Sequence, residues 1–246
     1  MANMGWKLKL ASILLILSLV AYVTSYLLFS KPDEEIFWFM ESIAFLPIEV
    51  LLVTIIVDSV LTRQERRQKL EKMSMVTDAF FSEAGSDLLR LFLTFDRRAE
   101  IIRGKLNVAQ GWSEQDYAIT LKSIGNHGFD ISCRQGDLDG LRVFLFAKRD
   151  FLLRLLENPT LLDHESFTEM LRATFHMIDE LVGRKDLKAL SQADYDHLAN
   201  DMNRAYSALV GQWLEYMFHL KKDYPYLYSL AARTNPFNPN ASAEIR

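Results

Sequence analysis

The feature that most restricts the fold is an uncharged apolar run near the amino terminus, LASILLILSLVAYVTSYLLF at residues 10–29. Twenty helical residues extend for about 30 Å, which matches the hydrocarbon thickness of a bilayer. A secretory signal has a shorter apolar core followed by a small-residue cleavage pattern, and this segment has neither. The run therefore predicts a retained membrane-spanning helix rather than a cleaved leader.

A second apolar run predicts another span at about residues 40–61, and the segment between the two spans, SKPDEE at 30–35, is acidic. Lys7 and Lys9 precede the first span. The residues that follow the second span include Arg63, Arg66, Arg67, Lys69 and Lys72. Because basic residues stay on the cytoplasmic side, we expect a hairpin over residues 1–62 in the inner membrane with both termini in the cytoplasm. The basic residues are either a topology signal alone or also contact anionic lipid head groups.

A carboxylate, Glu49, interrupts the second span, and Pro47 predicts a kink just before it because proline removes a backbone donor. A charge at the bilayer centre is costly, so we expect Glu49 to face protein or water, or to be protonated. If the spans pair antiparallel, the hydroxyl of Ser18 or Tyr22 lies at the same depth and donates to it. Three interpretations stay open, namely a neutral carboxyl that joins helices, a pore-lining residue in an oligomer and a proton relay.

The remaining chain, residues 63–236, predicts a cytoplasmic bundle of four to five amphipathic helices, so the fold class is all-α. The first of these helices is expected over residues 64–95. Helix starts are expected at Ser113, at Asp137 or Asp139, at Asp163 or Ser166, and at Ser191, with Pro225 in a later first turn. The polar tail, residues 237–246, is predicted to be disordered.

Charge and motif content argue against several functions. Residues 62–246 carry nearly equal numbers of basic and acidic side chains, which gives no electrostatic case for nucleic-acid binding. Phosphate-binding loops, GxSxG elbows, CxxC pairs, HExxH and Rossmann glycines are all missing from the sequence. The sequence therefore predicts no cofactor and no recognisable catalytic residue.

Histidines and carboxylates on the predicted helices are the metal candidates. They are Glu83, His176 with Asp179 and Glu180, and Glu215 with His219, of which Glu215 and His219 lie four residues apart on one helix face. The di-iron bundle pattern requires Glu-x-x-His twice, and no Glu stands three residues before any His. His197 follows Asp194 by three residues, but Asp194 suits a helix cap. The alternative interpretation is solvent-edge histidines in surface ion pairs, so we expect no bound metal.

The single cysteine, Cys133, excludes an intramolecular disulfide and a cysteine-based zinc site. His127 is near it in the sequence, but nothing in the pattern orients the two as nucleophile and base. A small apolar side chain is the favoured interpretation.

Three stretches are more particular than a generic helix: LPIEVLLVTIIVDSVL at 46–61, VTDAFFSEAGSDLLR at 76–90 and HLKKDYPYLYSLAARTNPF at 219–237. Together they resemble an uncharacterised family of prokaryotic two-span membrane proteins with a C-terminal cytoplasmic helical domain. The resemblance covers most of the chain, implies the architecture and carries over no catalytic residue. It also implies a structural joint in which Arg233 binds helix-end carbonyls or pairs with Glu83.

These observations predict a membrane-anchored helical protein that binds a partner or scaffolds a complex. One alternative is an oligomeric pore gated by the bundle, which Glu49 and Pro47 favour. The other is a metal-binding enzyme of the bundle type. The expected partners are the lipid bilayer and either another protein or a second copy of the chain.

Overall fold

The computed structural model describes residues 3–28, 34–107, 112–127, 129–159, 161 and 164–244. Within these ranges every regular element is a helix, and the one strand-like pairing is an isolated bridge between Asp96 and Ile131. The all-α prediction is therefore confirmed. The chain divides into two compact units, Met1–Lys69 and Leu70–Arg246.

The first unit contains α1 (Asn3–Leu28) and most of α2 (Glu34–Phe80), which has Pro47 inside it. The segment Glu41–Glu65 is 25 residues long, almost entirely exposed and apolar enough to cross a membrane. In α1 the described residues form a shorter apolar segment, Ala11–Ala21. Among the described residues one helix is of spanning length, and the first span of the hairpin stays a prediction.

Ser18 does not contact Glu49 in the first unit. The buried Ser18 hydroxyl donates to the backbone carbonyl of Ala44, whereas the Glu49 side chain is exposed. The predicted hydrogen bond from Ser18 to Glu49 is therefore wrong, because the single hydroxyl proton is used by a backbone acceptor. The side chain of Tyr22, the other predicted donor, lies outside the described residues.

The second unit is built from short and long helices around α8. The helices are α3 (Ser86–Leu93), α4 (Ala99–Leu106), α5 (Glu114–His127), α6 (Leu138–Leu156), α7 (Glu165–Gly183), α8 (Gln192–Asp223) and α9 (Pro225–Arg233). The most extensive packing joins α7 to α8, while α6 packs on α7, and α5 and α9 pack on α8. The long helix α8 therefore forms the centre of this unit.

Local capping explains where several helices begin. The Ser113 N–H donates to the Asp116 carboxylate at 2.6 Å and the Asp116 N–H donates back to the Ser113 hydroxyl at 3.3 Å, which is a capping box before α5. Asp137 and Ser191 accept backbone N–H groups at the starts of α6 and α8. These predicted starts are confirmed. The helix α7 follows His164, whose side chain does not cap it, and Asp163 lies outside the described residues.

The predicted helix over residues 64–95 is interrupted by a π-helical segment, Phe81–Gly85. The adjacent rings of Phe80 and Phe81 are both buried and contact each other edge to face. A Cβ atom on Gly85 would lie 2.6 Å from the ring of Phe80 and 2.7 Å from the ring of Phe81. A π turn accommodates an extra residue, and glycine lets both rings pack against the backbone at this turn.

The carboxy-terminal segment packs against α8 within the second unit. Phe237 is fully buried with its ring 5.0 Å from that of Trp213, and the Ser242 N–H donates to the carbonyl of Arg233. The prediction of a disordered tail is therefore wrong for residues 237–244. Burial of the Phe237 ring stabilises an ordered conformation of this segment, although most of its residues are polar.

Candidate metal centre

The facing surfaces of α7 and α8 bring two histidines and two carboxylates together. His176 and Glu180 lie one turn apart on α7, and His197 and Asp201 lie one turn apart on α8. One potential ligand atom from each residue lies within 4.8 Å of the other three. Each i, i+4 pair points to one side of its helix, so packing of the two helices assembles the group.

Asp201 is the centre of this group. Its Oδ2 atom lies 3.2 Å from Nε2 of His176 and 3.2 Å from Nε2 of His197. The carboxylate of Glu180 lies 3.4 Å from Nε2 of His197 and 3.8 Å from Nε2 of His176. Bonds of 2.0–2.1 Å to a tetrahedral Zn²⁺ place ligand atoms roughly 3.3–3.4 Å apart. The separations of Asp201 from the two imidazoles are therefore near those that a single ion requires, and the whole group lies within 4.8 Å.

The two carboxylates of the group are more buried than its two histidines. The side chain of Asp201 is 4% exposed and that of Glu180 is 23% exposed, whereas His176 and His197 are 46% and 52% exposed. A buried carboxylate needs charged or hydrogen-bonding partners, and the two imidazoles supply them here. The carboxylate of Asp201 forms the floor of the site and the imidazoles form its open edge.

Two arginines also contact the carboxylates of this group. Arg184 donates to Glu180 at 2.5 Å and also lies 3.2 Å from Asp194. The hydrogen bond from Arg184, with a smaller contribution from His197, lowers the pKa of Glu180, so this carboxylate is ionised at neutral pH. Arg204 lies 3.6 Å from Oδ1 of Asp201, which leaves Oδ2 directed at the imidazoles. Metal ligands must be deprotonated, and these contacts favour that state for Glu180.

The donor set determines which ions suit the site. Imidazole nitrogen and carboxylate oxygen bind Zn²⁺ and other first-row divalent ions such as Fe²⁺ and Mn²⁺. Four protein donors complete a tetrahedral shell, and loss of one carboxylate bond opens a position for water. The exposed histidines place that position at the surface of the second unit.

Of the metal candidates from the sequence, His176 and Glu180 belong to this group, whereas Glu215 and His219 do not. The ring nitrogens of His219 lie 2.8 Å from the Ser74 hydroxyl and 3.0 Å from the Asp223 carboxylate, so both contact protein groups. Glu215 accepts a hydrogen bond from Gln212, and burial raises the pKa of Glu215. The structure places His176 with Glu180, His197 and Asp201 instead.

A sequence signal for the observed group was present. HMIDE at 176–180 and HLAND at 197–201 each place an acidic residue four positions after a histidine. Glu180 stands beside His176 among the candidates from the sequence, whereas His197 is paired there with Asp194 rather than with Asp201. The Glu-x-x-His pattern differs from this arrangement in both order and spacing.

The predicted joint residues form different contacts. The carboxylate of Glu83 lies 3.5 Å from Nζ of Lys148. Arg233 donates to the backbone carbonyls of Ser229 at 3.3 Å and Ala243 at 2.7 Å. No ion pair between Glu83 and Arg233 is found among the described residues, and the structural joint stays a prediction.

Cys133 lies in an environment that suppresses thiol reactivity. The residue is buried, and burial raises the pKa of its thiol to about 12. The side chain of His127 lies outside the described residues. A protonated, buried thiol agrees with the apolar packing role that the sequence favours.

The juxtamembrane cations lie in α2. Arg63, Arg67 and Lys72 are exposed, and the side chains of Arg66 and Lys69 lie outside the described residues. Contact of these residues with lipid head groups stays a prediction.

The helices define an all-helical protein with an apolar amino-terminal unit and a larger helical unit that carries a histidine–carboxylate group. Comparison with protein families gives the same division. A model described as "MJ1433, N-terminal helical domain" matches residues 2–61, and one described as "Uncharacterized protein MJ1433, C-terminal helical domain" matches residues 69–233. The chain belongs to the MJ1433 family, which confirms its resemblance to an uncharacterised family.

A curated relative covers nearly the whole chain. The uncharacterised protein MJ1433 of Methanocaldococcus jannaschii is 43% identical over 238 residues, which are 97% of this chain and 96% of the relative. No solved structure matches the chain. The relatives therefore support the helical domains and assign no activity.

Proposed function

We propose that this protein is a membrane-anchored helical module that binds one divalent transition-metal ion, with Zn²⁺ as the first ion to test. The carrying observation is the placement of Oδ2 of Asp201 at 3.2 Å from Nε2 of both His176 and His197. Glu180 supplies a fourth donor that Arg184 keeps ionised. The ion replaces the protons that otherwise lie between these nitrogen and oxygen atoms.

In this proposal the ion stabilises the packing of two helices and also binds a partner protein. Each helix contributes one i, i+4 pair, so a bound ion cross-links α7 and α8 and stabilises the second unit. The histidines lie at the open edge of the site, so a side chain from a partner protein has access to the ion. This arrangement suits a module that presents a metal to a partner or assembles a complex, rather than an enzyme with an enclosed substrate site.

The anchor is part of the same proposal. The segment Glu41–Glu65 is long and apolar enough to cross a bilayer, and the apolar run at 10–29 supplies the other span of a hairpin. The acidic 30–35 segment and the basic residues after the second span support an inner-membrane location with both termini in the cytoplasm. We expect the protein to remain with membranes after alkaline carbonate washing and to leave them with detergent.

Metal analysis of the full-length chain tests the metal-binding part. The protein is purified in a mild detergent, dialysed against buffered Zn²⁺ and then against metal-free buffer, and its zinc content is measured. We expect one zinc per chain in the wild type and in His219→Ala, and less than one in His176→Ala. An absence of bound zinc in the wild type, or equal zinc in His176→Ala, would contradict the proposal.

Exposure of Glu49 supports self-association as a second proposal. Its side chain is exposed within the segment that is apolar enough to span a membrane. Ionisable residues in a membrane usually face protein or a water-filled cavity, so a second copy of α2 provides a suitable surface. We expect Glu49→Leu to reduce cross-linking between copies in membranes, while Glu65→Leu, at the end of the segment, leaves it unchanged. Cross-linking that is equal in all three proteins would contradict this proposal.

A further inference from the structure

The contacting faces of α7 and α8 carry a ladder of side-chain pairs, in which each rung joins a basic or imidazole group to a carboxylate. The rungs are Arg184 with Asp194 at 3.2 Å, His197 with Glu180 at 3.4 Å, and His176 with Asp201 at 3.2 Å. Successive rungs lie about one turn apart on each helix. Residue numbers fall along α7 as they rise along α8, so the next rung in this register joins position 172 to position 204.

Both helices carry an arginine at that next rung. Arg172 precedes His176 by four residues on α7, and Arg204 follows Asp201 by three residues on α8, so each lies on the helix face that carries the four-residue group. The side chains of Arg172 and Arg204 are 65% and 68% exposed. Arg172 lies 2.9 Å from Glu169, and Arg204 lies 3.6 Å from Oδ1 of Asp201. Unlike the three rungs before it, this rung combines two positive charges.

The charge of this surface depends on whether a metal ion is bound. The arginines of the ladder, Arg172, Arg184 and Arg204, lie among the carboxylates of Glu169, Glu180, Asp194 and Asp201. With neutral imidazoles this set carries one net negative charge, and a divalent ion changes it to one net positive charge. An ion at Oδ2 of Asp201 also offsets the charge of the carboxylate that Arg204 contacts. The guanidinium of Arg204 is then available to an external anion.

The donors at the open edge specify the class of anion. Guanidinium groups bind phosphate through paired hydrogen bonds, and a divalent ion binds a phosphate oxygen directly. Glu180 already accepts a hydrogen bond from Arg184 and lies 3.8 Å from His176, so it is the metal ligand that an anion replaces most readily. A phosphate group has enough oxygen atoms to contact the ion and two arginines, whereas a carboxylate has only two.

We propose, on the basis of the metal-binding function proposed above, that the zinc-loaded site binds a phosphate monoester. One phosphate oxygen binds the ion, and the others accept hydrogen bonds from Arg204 and Arg172. The phosphate group belongs either to a soluble ester or to a lipid head group. The exposed edge of the site thereby acquires a defined ligand class.

Equilibrium dialysis of the full-length protein with radiolabelled inorganic phosphate tests the proposal. The zinc-loaded and metal-free proteins are compared in mild detergent at pH 7, and zinc content is measured on the same samples. We expect one phosphate per bound zinc, and at least about tenfold weaker binding to the metal-free protein. Zinc-loaded wild type without saturable phosphate binding, or equal binding without zinc, would overturn this inference alone. A wild type that takes up no zinc would overturn the metal-binding proposal as well.

Variants separate phosphate binding from zinc binding. Arg172 pairs with Glu169, which is outside the four-residue group, so we expect Arg172→Gln to keep one zinc per chain and to bind phosphate about tenfold more weakly. Arg204→Gln should weaken phosphate binding per bound zinc by a similar factor. Arg97→Gln is the control, because Arg97 is also exposed and near a carboxylate but lies on neither α7 nor α8. Wild-type phosphate affinity in either zinc-loaded variant at the ladder would overturn the proposal.

Competition between two phosphate monoesters identifies the source of the phosphate group. Glycerol 3-phosphate is the soluble competitor, and phosphatidic acid carried in the detergent micelles is the lipid competitor. Displacement of the labelled phosphate by glycerol 3-phosphate supports a soluble ester, and displacement by phosphatidic acid alone supports a lipid head group. Displacement by neither would overturn the assignment to a phosphate monoester.

Discussion

Nε2 of His176 on α7 lies 3.2 Å from Oδ2 of Asp201 on α8. This contact joins two helices that pack together more extensively than any other pair of helices in the second unit. The carboxylate of Asp201 is buried and the imidazole of His176 is half-exposed, so the contact links the interior of the unit to its surface. The proposed metal site depends on this relationship, because one ion has to bind both atoms.

Removal of a ligand should weaken zinc binding strongly. We expect His197→Ala and Asp201→Asn each to lower zinc affinity by at least about 100-fold, because losses of outer-shell partners alone reach 10–100-fold. Competition with a chromophoric zinc chelator measures the change. Circular dichroism spectra of the apo proteins establish that both variants are folded.

The sequence-derived metal candidates provide matched controls for this measurement. His219→Ala and Glu215→Gln change residues on α8, the helix that carries His197 and Asp201, and we expect both variants to keep wild-type zinc affinity. Their contacts are with Ser74, Asp223 and Gln212 rather than with the four-residue group. A loss of affinity in either control that matches the loss in His197→Ala would move the site away from His176.

Gly85 should be intolerant of a side chain. A Cβ atom there would lie 2.6–2.7 Å from the rings of Phe80 and Phe81, so we expect Gly85→Ala to destabilise the protein by about 1–3 kcal/mol. Gly104 in α4 has no atom within 4 Å of the corresponding Cβ position. Gly104→Ala should therefore stabilise by about 0.5–1 kcal/mol through helix propensity. Chemical unfolding followed by circular dichroism measures both, and equal effects of the two changes would contradict the packing described for the π turn.

Asp78 should reduce stability as the pH rises. Burial raises the pKa of its carboxyl above the ordinary value of 3.8, although His219 and the Tyr216 hydrogen bond act in the opposite direction. The folded state therefore favours the protonated carboxyl, and ionisation adds a penalty that is absent below pH 3.8 and grows above it. We expect Asp78→Asn to exceed the wild type in free energy of unfolding at neutral pH and to equal it at acidic pH.

Urea unfolding across this pH range measures the difference between wild type and Asp78→Asn. Asp87→Asn serves as the control, because that carboxylate is exposed and pairs with Arg90. A wild type that is more stable than Asp78→Asn at neutral pH would show that the hydrogen bond from Tyr216 outweighs the burial penalty.

Cys133 should be unreactive in the folded protein. Its thiol is buried and its pKa is raised to about 12, so little thiolate exists at pH 8. We expect iodoacetamide to label Cys133 slowly in the native protein and rapidly in urea, as measured by mass spectrometry. Rapid labelling without denaturant would contradict the buried placement.

The parts of the fold that depend on local chemistry were predictable. Ser113, Asp137 and Ser191 cap helices because each side chain reaches backbone donors within the next turn, and this information is contained in a few adjacent residues. The π turn at Phe81–Gly85 depends on the fit of two rings against one glycine, which composition does not reveal. The packing of Phe237 against Trp213 likewise joins residues distant in the sequence.

The candidate site was only partly predictable for the same reason. His176 was identified from its place on a helix, but its partners His197 and Asp201 lie on the next helix. The pairing of α7 with α8, and the register between them, decides which histidine meets which carboxylate. Glu215 and His219 have the right spacing along one helix, yet neighbouring residues occupy their polar atoms.

Native mass spectrometry of the full-length protein after zinc loading tests the metal site most directly, because it reports bound zinc on each chain. We expect one zinc per chain in the wild type and in His219→Ala. We expect no bound zinc in a His176→Ala, His197→Ala double variant that keeps its helical circular dichroism. A zinc-free wild type, or a double variant that retains a full zinc complement, would contradict the proposed metal site.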